Sequence, residues 1–239
     1  LVNPYHTASG KKSEVRAMFN TIARNYDFLN HFLSFGIDVL WRKRLISELK
    51  RTNPLHVIDI ATGTADLAIM AVRSGVPKVT GIDLSEGMIA KGIEKINKFS
   101  LHDKIDLIIG DAEALPFRDN SFDAAMVAFG IRNFEDLPKG LSDINRVLKT
   151  GGNIFILEFS QPEKSPIKQL YHFYSFRVLP FIGRFISKDA RAYTYLPESI
   201  SEFPYGEKLV GVLEQSGFSS CRFIPLSFQI ATIYIATKR

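Results

Sequence analysis

Three carboxylates fall within one short stretch of this chain, at the spacing of a ligand site. Asp59 lies in a β-branched apolar run with Val57, Ile58 and Ile60; the small-residue turn Ala61-Thr62-Gly63-Thr64-Ala65 follows, and Asp66 comes straight after it. A helix-like stretch leads to a second apolar run ending in Asp83, twenty residues after Gly63. This is the plan of a nucleotide-binding βαβ unit, in which backbone N–H groups of a tight turn approach the ligand and an acid at the tip of the second strand accepts hydrogen bonds from ribose hydroxyls. Two carboxylates flanking the turn would repel a pyrophosphate. They suit a ligand with no phosphate and a positive charge, and S-adenosylmethionine, with its sulfonium and α-amino groups, is such a ligand. Asp59 would polarise the site near the sulfonium or cap backbone amides of the turn. With one glycine where a dinucleotide fingerprint has three, these residues alone also fit the strand–turn–helix of any α/β protein.

The elements that must hold these groups are legible around them. From Ser13 to Lys50 the pattern is helical, with Val15, Met18, Phe19 and Ile22 at spacings of three and four and Ser13 as N-cap. A second helix is predicted over Tyr26–Ser34, stopped by Gly36, and a third from about Asp38 to Lys50. Alternation then sets in: strand Leu55–Ile60, helix Asp66–Arg73, strand Lys78–Asp83, helix Ser85–Lys98 with Ser85 as N-cap, and strand Lys104–Ile109. Strand Asp123–Phe129 precedes a helix over Leu137–Leu148, closed by Gly151-Gly152, and strand Asn153–Glu158 follows. Such alternation predicts an α/β fold with a doubly wound, mostly parallel sheet. Right-handed crossovers put a ligand at the carboxyl ends of the strands, where Asp59, Asp83, Asp111 and Glu158 lie.

From 160 to 205 the texture changes to prolines and crowded aromatics, read as a helical cap inserted before the last helix, Glu207–Ser216. The apolar runs Phe218–Leu226 and Ser227–Thr237 are joined tightly enough to form an antiparallel pair. A parallel sheet closed by such a pair distinguishes a methyltransferase from a dehydrogenase. The predicted organisation is a flexible polar lead-in over 1–12 and one domain over 13–239, with 13–50 as a helical lid.

Composition narrows the remaining classes. The chain has 239 residues, enough for one α/β domain with a full core. A single cysteine, Cys221, precludes an internal disulfide and fits a reducing, cytoplasmic setting. The scattered histidines show no metal-ligand spacing, so no metal is expected. No apolar run approaches the ~18 residues of a membrane span, and the first residues lack the apolar core of a signal peptide. A net charge of +5 is spread along the chain in short clusters such as Arg42-Lys43-Arg44, which fits a solvated basic surface rather than a nucleic-acid site. A weak attraction to anionic lipid headgroups is the functional reading of that charge.

Three segments carry a narrower resemblance. They are Tyr26-Asp27-Phe28-Leu29-Asn30-His31-Phe32-Leu33-Ser34-Phe35-Gly36 with Trp41-Arg42 close behind, Phe129-Gly130-Ile131-Arg132-Asn133, and Arg146-Val147-Leu148-Lys149-Thr150-Gly151-Gly152 leading to Leu157-Glu158-Phe159-Ser160. Together they closely resemble the ubiquinone/menaquinone biosynthesis C-methyltransferases, over nearly the whole chain from about Val15. The resemblance implies a class I S-adenosylmethionine-dependent methyltransferase that methylates a ring carbon of a prenylated hydroquinone, most simply demethylmenaquinol, with a demethylated benzoquinol or another small molecule as the alternatives. It also implies cofactor positions at Thr64, Asp83 and the Asp111-Ala112 pair, the last beside the adenine. Ala65 stands where other members have glycine, and Ala128 where some have a serine.

The implied chemistry requires more groups. A hydroquinone carbon becomes nucleophilic when its neighbouring phenol ionises, yet a free phenol has a pKa near ~10, so a base or a cation must assist. Arg132 stays protonated and would stabilise the phenolate or orient a water; Asn133, Tyr26 and Asp27 are the candidates for holding the ring oxygens. The N-terminal helices would form a lid. The aromatic stretch Leu170–Phe185 would be a packed cap or a groove for the isoprenoid tail, with Lys168, Arg177 and Arg184 near lipid headgroups. The same apolar cap offers a face for a homodimer.

Overall fold

The computed structural model describes residues 2–27, 31, 34–178, 181 and 190–239. Its centre is a seven-stranded sheet in the order β3-β2-β1-β4-β5-β7-β6. The strands are β1 (His56–Ile60), β2 (Lys78–Asp83), β3 (Ile105–Ile109), β4 (Phe122–Ala128), β5 (Leu148–Phe159), β6 (Phe218–Leu226) and β7 (Ala231–Lys238). The first five run parallel; β7 is antiparallel to both β5 and β6. The chain order reverses beside β1, between β2 and β4, which is the topological switch point where such sheets bind ligands. In β1, Val57, Ile58, Asp59 and Ile60 are all buried, as expected of a central parallel strand covered on both faces.

Helices α2 (Ile37–Lys50) and α3 (Asp66–Arg73) cover one face through Leu45, Leu49, Ala68 and Val72. On the other face lie α5 (Leu137–Val147) and α8 (Glu207–Gln215), packed through Leu141, Ile144, Leu209 and Leu213. Between them in sequence, α4 (Glu86–Lys98) starts at Ser85, whose hydroxyl accepts from the Met88 amide at 3.2 Å and satisfies one of the helix's open donors. An outer layer comprises α1 (Lys11–Ile22), α6 (Ile167–Phe173), the π turn Tyr174–Val178 and α7 (Ala190–Glu202).

Three expectations are corrected. Helix α1 starts at Lys11, two residues before Ser13, and the described residues ahead of it make hydrogen bonds to the rest of the chain. The backbone amides of Tyr5, His6 and Thr7 donate to the Glu14 carboxylate at 2.6, 3.0 and 2.6 Å, and Lys11 Nζ donates to the Arg132 and Phe134 carbonyls at 2.8 Å each. Gly151-Gly152 do not close α5, because β5 already begins at Leu148. They sit at an irregularity in the β4–β5 register, where a Cβ at residue 152 would lie 2.8 Å from the Lys149 carbonyl oxygen and 2.9 Å from that of Asp123. The final strand starts at Ala231, since Ser227–Gln229 form a short 3-10 turn. The helix expected over Tyr26–Ser34 falls mostly outside the described residues, as do Arg184 and Phe185.

Candidate active site

The turn after β1 and the ends of β2, β3 and β4 form a cleft. Asp83 is held there by two amides: its Oδ2 accepts from Gly63 N at 2.8 Å and its Oδ1 from Ser85 N at 2.9 Å. Gly63 needs its left-handed φ of 57° to present that amide, and a Cβ on it would point toward the Tyr26 ring at 4.0 Å. Enclosure raises the Asp83 pKa above the usual carboxylate range, while the two amides counter that rise. Asp111 Oδ1 accepts from Glu113 N at 2.9 Å, and its Oδ2 receives Lys12 Nζ at 2.7 Å. Gly63, Asp83, Met88, Asp111, Ala112 and Asn133 thus share one cleft, with Phe19, Tyr26 and Phe129 at its wall.

Helix α1 lies over this cleft and leaves a volume of about 70 Å³. Lys12 bonds Asp111 and Glu113, Arg16 pairs with Glu86, and Asn20 Oδ1 accepts from Gly87 N at 3.0 Å and from Ser85 Oγ at 2.6 Å. Small-molecule sites usually exceed ~300 Å³, so this cleft as it stands is smaller than a nucleoside requires. The lining suits S-adenosylmethionine: carboxylates at the tips of β2 and β3 are able to accept from hydroxyl and amino groups, and aromatic walls are compatible with a sulfonium.

Four sequence-predicted residues are placed elsewhere. Asp59 lies beneath the turn, 1% exposed, where it accepts from Thr62 Oγ1 at 2.6 Å. Burial pushes its pKa up to about 7, against the Thr62 hydrogen bond. Of the two roles open to it, the geometry is the one that braces the turn. Thr64, Asp27 and Asp66 gather around Lys95 and are not among the residues lining the cleft. Thr64 Oγ1 donates to Asp27 Oδ1 at 2.5 Å, and Lys95 Nζ donates to Asp27 at 2.9 Å, to Thr64 at 3.1 Å and to Asp66. This cluster ties α4 to the turn. A polar residue in the turn and an acid before it match the spacing of a binding motif whether they face ligand or lysine, which is why sequence spacing alone did not separate them.

Beside the cleft lies a larger cavity of about 480 Å³, almost wholly apolar. It is walled by α1, α2, α6, α7, the π turn and the turn before β7, and Phe19, Tyr26 and Phe129 line both spaces. Among the described residues on its wall, the charged ones are Asp38, Arg42 and Arg132. Arg132 follows β4 in a 3-10 turn, and its Nη1 donates to Glu158 Oε1 at 2.8 Å and to the Phe129 carbonyl at 2.5 Å. Both partners are buried, and Arg132 Nε has no hydrogen-bond partner among the described residues. Asn133, one residue on, turns to the cleft, where its Oδ1 accepts from Tyr195 OH at 3.0 Å. Burial pushes the Tyr195 hydroxyl up to about 12, so it stays a donor.

Sequence reading missed Tyr195, Asp38 and the part played by Glu158. Glu158 had a signal in its place at a strand's carboxyl end. Tyr195 had none, sitting 62 residues beyond Asn133 within an aromatic-rich helix.

A mostly parallel sheet ending in an antiparallel pair, with an acid-lined cleft at the switch point, defines a class I methyltransferase. A phosphoethanolamine N-methyltransferase 2 of Haemonchus contortus, solved with S-adenosyl-L-methionine, shares the fold at a TM-score of 0.61 and 18% identity, over 82% of this chain and 52% of that one. Residues 7–238 match the ubiE/COQ5 methyltransferase family, and the chain belongs to it. Relatives include a demethylmenaquinone methyltransferase of Bacteroides fragilis, 48% identical over 99% of this chain and 97% of that protein. A ubiquinone/menaquinone biosynthesis C-methyltransferase of Geotalea uraniireducens is 41% identical over 95% and 97%.

Proposed function

We propose that this protein is an S-adenosylmethionine-dependent C-methyltransferase that converts demethylmenaquinol to menaquinol. The observation that carries the reading is the junction of two unlike spaces, an acid-lined cleft and an apolar cavity sharing Phe19, Tyr26 and Phe129. A prenylated quinol needs such a pair, because its tail is apolar and its ring must meet a cationic methyl donor. Bound in the cleft, S-adenosylmethionine supplies an electrophilic methyl group. The chain's own residues position the ring and ready it. Arg132, held by Glu158, places a permanent cation on the cavity wall, where it favours the phenolate over the phenol. Tyr26 stands on the wall shared by both spaces, and Asn133, fixed by Tyr195, faces the methyl donor's side. Exclusion of water strengthens each of these interactions, and positioning two reactants contributes up to ~7–11 kcal/mol. A radiolabelled methyl-transfer assay with chemically reduced demethylmenaquinol and its benzoquinol counterpart side by side tests the reading. Transfer to the naphthoquinol is the expected result; transfer to neither, with cofactor binding intact by calorimetry, overturns it.

The cavity's rim supports a peripheral membrane contact as its route of substrate entry. Phe35, Leu170 and Phe228 line the cavity yet are 80%, 65% and 78% exposed, Phe173 and Phe181 are exposed nearby in the chain, and Lys168 and Arg177 fall in the same segment. No helix among the described residues is long and apolar enough to cross a membrane, so the contact is interfacial. Co-sedimentation with liposomes is expected. Its failure with and without anionic lipid, or burial of this rim in a stable dimer, overturns the membrane contact.

A further inference from the structure

The cavity wall holds a second buried ion pair that the chemistry above leaves unused. Asp38 and Arg42 sit one turn apart on α2, and Arg42 Nη1 donates to Asp38 Oδ2 at 2.5 Å. Asp38 is 3% exposed and Arg42 7%. Placing two charges on an apolar wall is expensive, and a hydrophobic pair would serve packing equally well or better. The carboxylate is firmly anchored: it also accepts from Ser34 Oγ at 2.7 Å and from His31 Nδ1 at 2.9 Å. Burial alone would raise its pKa, but the Ser34 hydrogen bond and the Arg42 charge overcome that and hold it below the usual carboxylate range. Arg42 is therefore fixed as a cation in a set orientation.

Its guanidinium is under-used. A guanidinium carries five N–H donors, and the one hydrogen bond of the Arg42 side chain among the described residues is that to Asp38. Arg132 presents the same arrangement, a carboxylate partner and an unpartnered Nε. The two cations are registered on one aromatic pair. Phe129 and Phe159 pack with centroids 4.5 Å apart and ring planes tilted by 31°; Arg42 Cζ lies 5.6 Å from the Phe129 centroid and Arg132 Cζ 5.5 Å from that of Phe159.

We propose that Arg42 is a substrate-contacting residue that donates to the second ring oxygen of a para-diol, while Arg132 meets the oxygen next to the methylated carbon. This rests on the quinol reading above and deepens it. A 1,4-hydroquinone carries oxygens on opposite edges of its ring, and two carboxylate-anchored guanidiniums on one apolar wall, each beside one ring of an aromatic pair, supply a donor for each oxygen. Arg42 thereby sets specificity for diols over single phenols. A site built to hydrogen-bond a substrate oxygen discriminates strongly against the analogue lacking it, since its buried donors are then left unpaired.

The test compares reduced demethylmenaquinol bearing a short prenyl tail with the matched naphthol that lacks only the hydroxyl remote from the methylated carbon. Wild type is expected to prefer the diol in kcat/KM by about ten- to a hundredfold. In D38N/R42M, which removes both charges and strands neither, that preference falls to within about twofold, while calorimetric affinity for S-adenosylmethionine is retained. R42K, which keeps the charge, recovers part of it. A variant that loses activity on both substrates equally, keeping the wild-type preference, shows Arg42 to be structural and overturns this proposal alone. Wild type inactive on both compounds overturns the quinol reading and this proposal with it.

Discussion

The cofactor cleft and the apolar cavity differ in how the chain builds them. Asp83 and Asp111 project from the end of a strand or the turn just beyond it, each accepting from the amide two residues on, Ser85 and Glu113. The cavity takes its wall from α1, α2, the segment after β4, the end of β5, the inserted helices and the turn before β7, residues as far apart as Met18 and Ile230. The cleft carries the acids Asp83, Asp111 and Glu113 and measures about 70 Å³; the cavity is almost wholly apolar and about 480 Å³. A sheet edge imposes a position on any acid at a strand tip, so a common cofactor can be held by a common frame. A substrate pocket has no such frame and is free to vary with its wall segments.

The largest effect expected from disturbing this division is at Arg132, the cation on the cavity side. R132A should lower turnover by at least about a hundredfold and leave cofactor affinity within about threefold. It also strands the buried Glu158, at about 3–5 kcal/mol of stability by chemical denaturation, whereas R132M/E158Q should lose the same turnover at a much smaller stability loss. Normal turnover in either variant would remove Arg132 from the mechanism and make the cavity a passive container.

Next in size is the contrast between Asp83 and Thr64, two residues of one motif that the structure separates. D83A should weaken S-adenosylmethionine binding by calorimetry about ten- to a hundredfold. T64V, which breaks the bonds to Asp27 and Lys95, should lower the melting temperature and leave that affinity within about threefold. Equal losses of affinity would place Thr64 functionally in the cleft after all.

The smallest expected effect concerns the lid. Lys12 occupies the Asp111 carboxylate that a bound adenine would use, through a partly exposed pair that contributes little to stability. K12A should therefore tighten cofactor binding by about two- to fivefold. Weaker binding would mean that Lys12 supports the cofactor rather than competing with it.

The strands and helices of the sheet region were legible because alternating apolar runs, small-residue turns and a cap such as Ser85 act over a few residues. The misreadings have local physical causes. Gly151-Gly152 look like a helix stop, but they serve a strand that passes too close to Asp123 for a side chain. The polar lead-in looks flexible, yet Glu14 gathers three of its amides. Within the site, Gly63, Asp83, Asp111, Ala112 and Asn133 converge as their spacing implies, while Asp27, Thr64 and Asp66 satisfy one another around Lys95.

By itself the sequence determined the α/β frame, the acids at the strand tips and the family, because these follow from periodicity and from motifs whose parts are close in the chain. Only the tertiary structure decided which carboxylates line the cleft, that Arg132 and Arg42 each carry a carboxylate partner, and that the cleft lies beside an apolar cavity. Those outcomes depend on which segments pack together and on which charges can be paired once they are buried, and neither is written into the local order of residues.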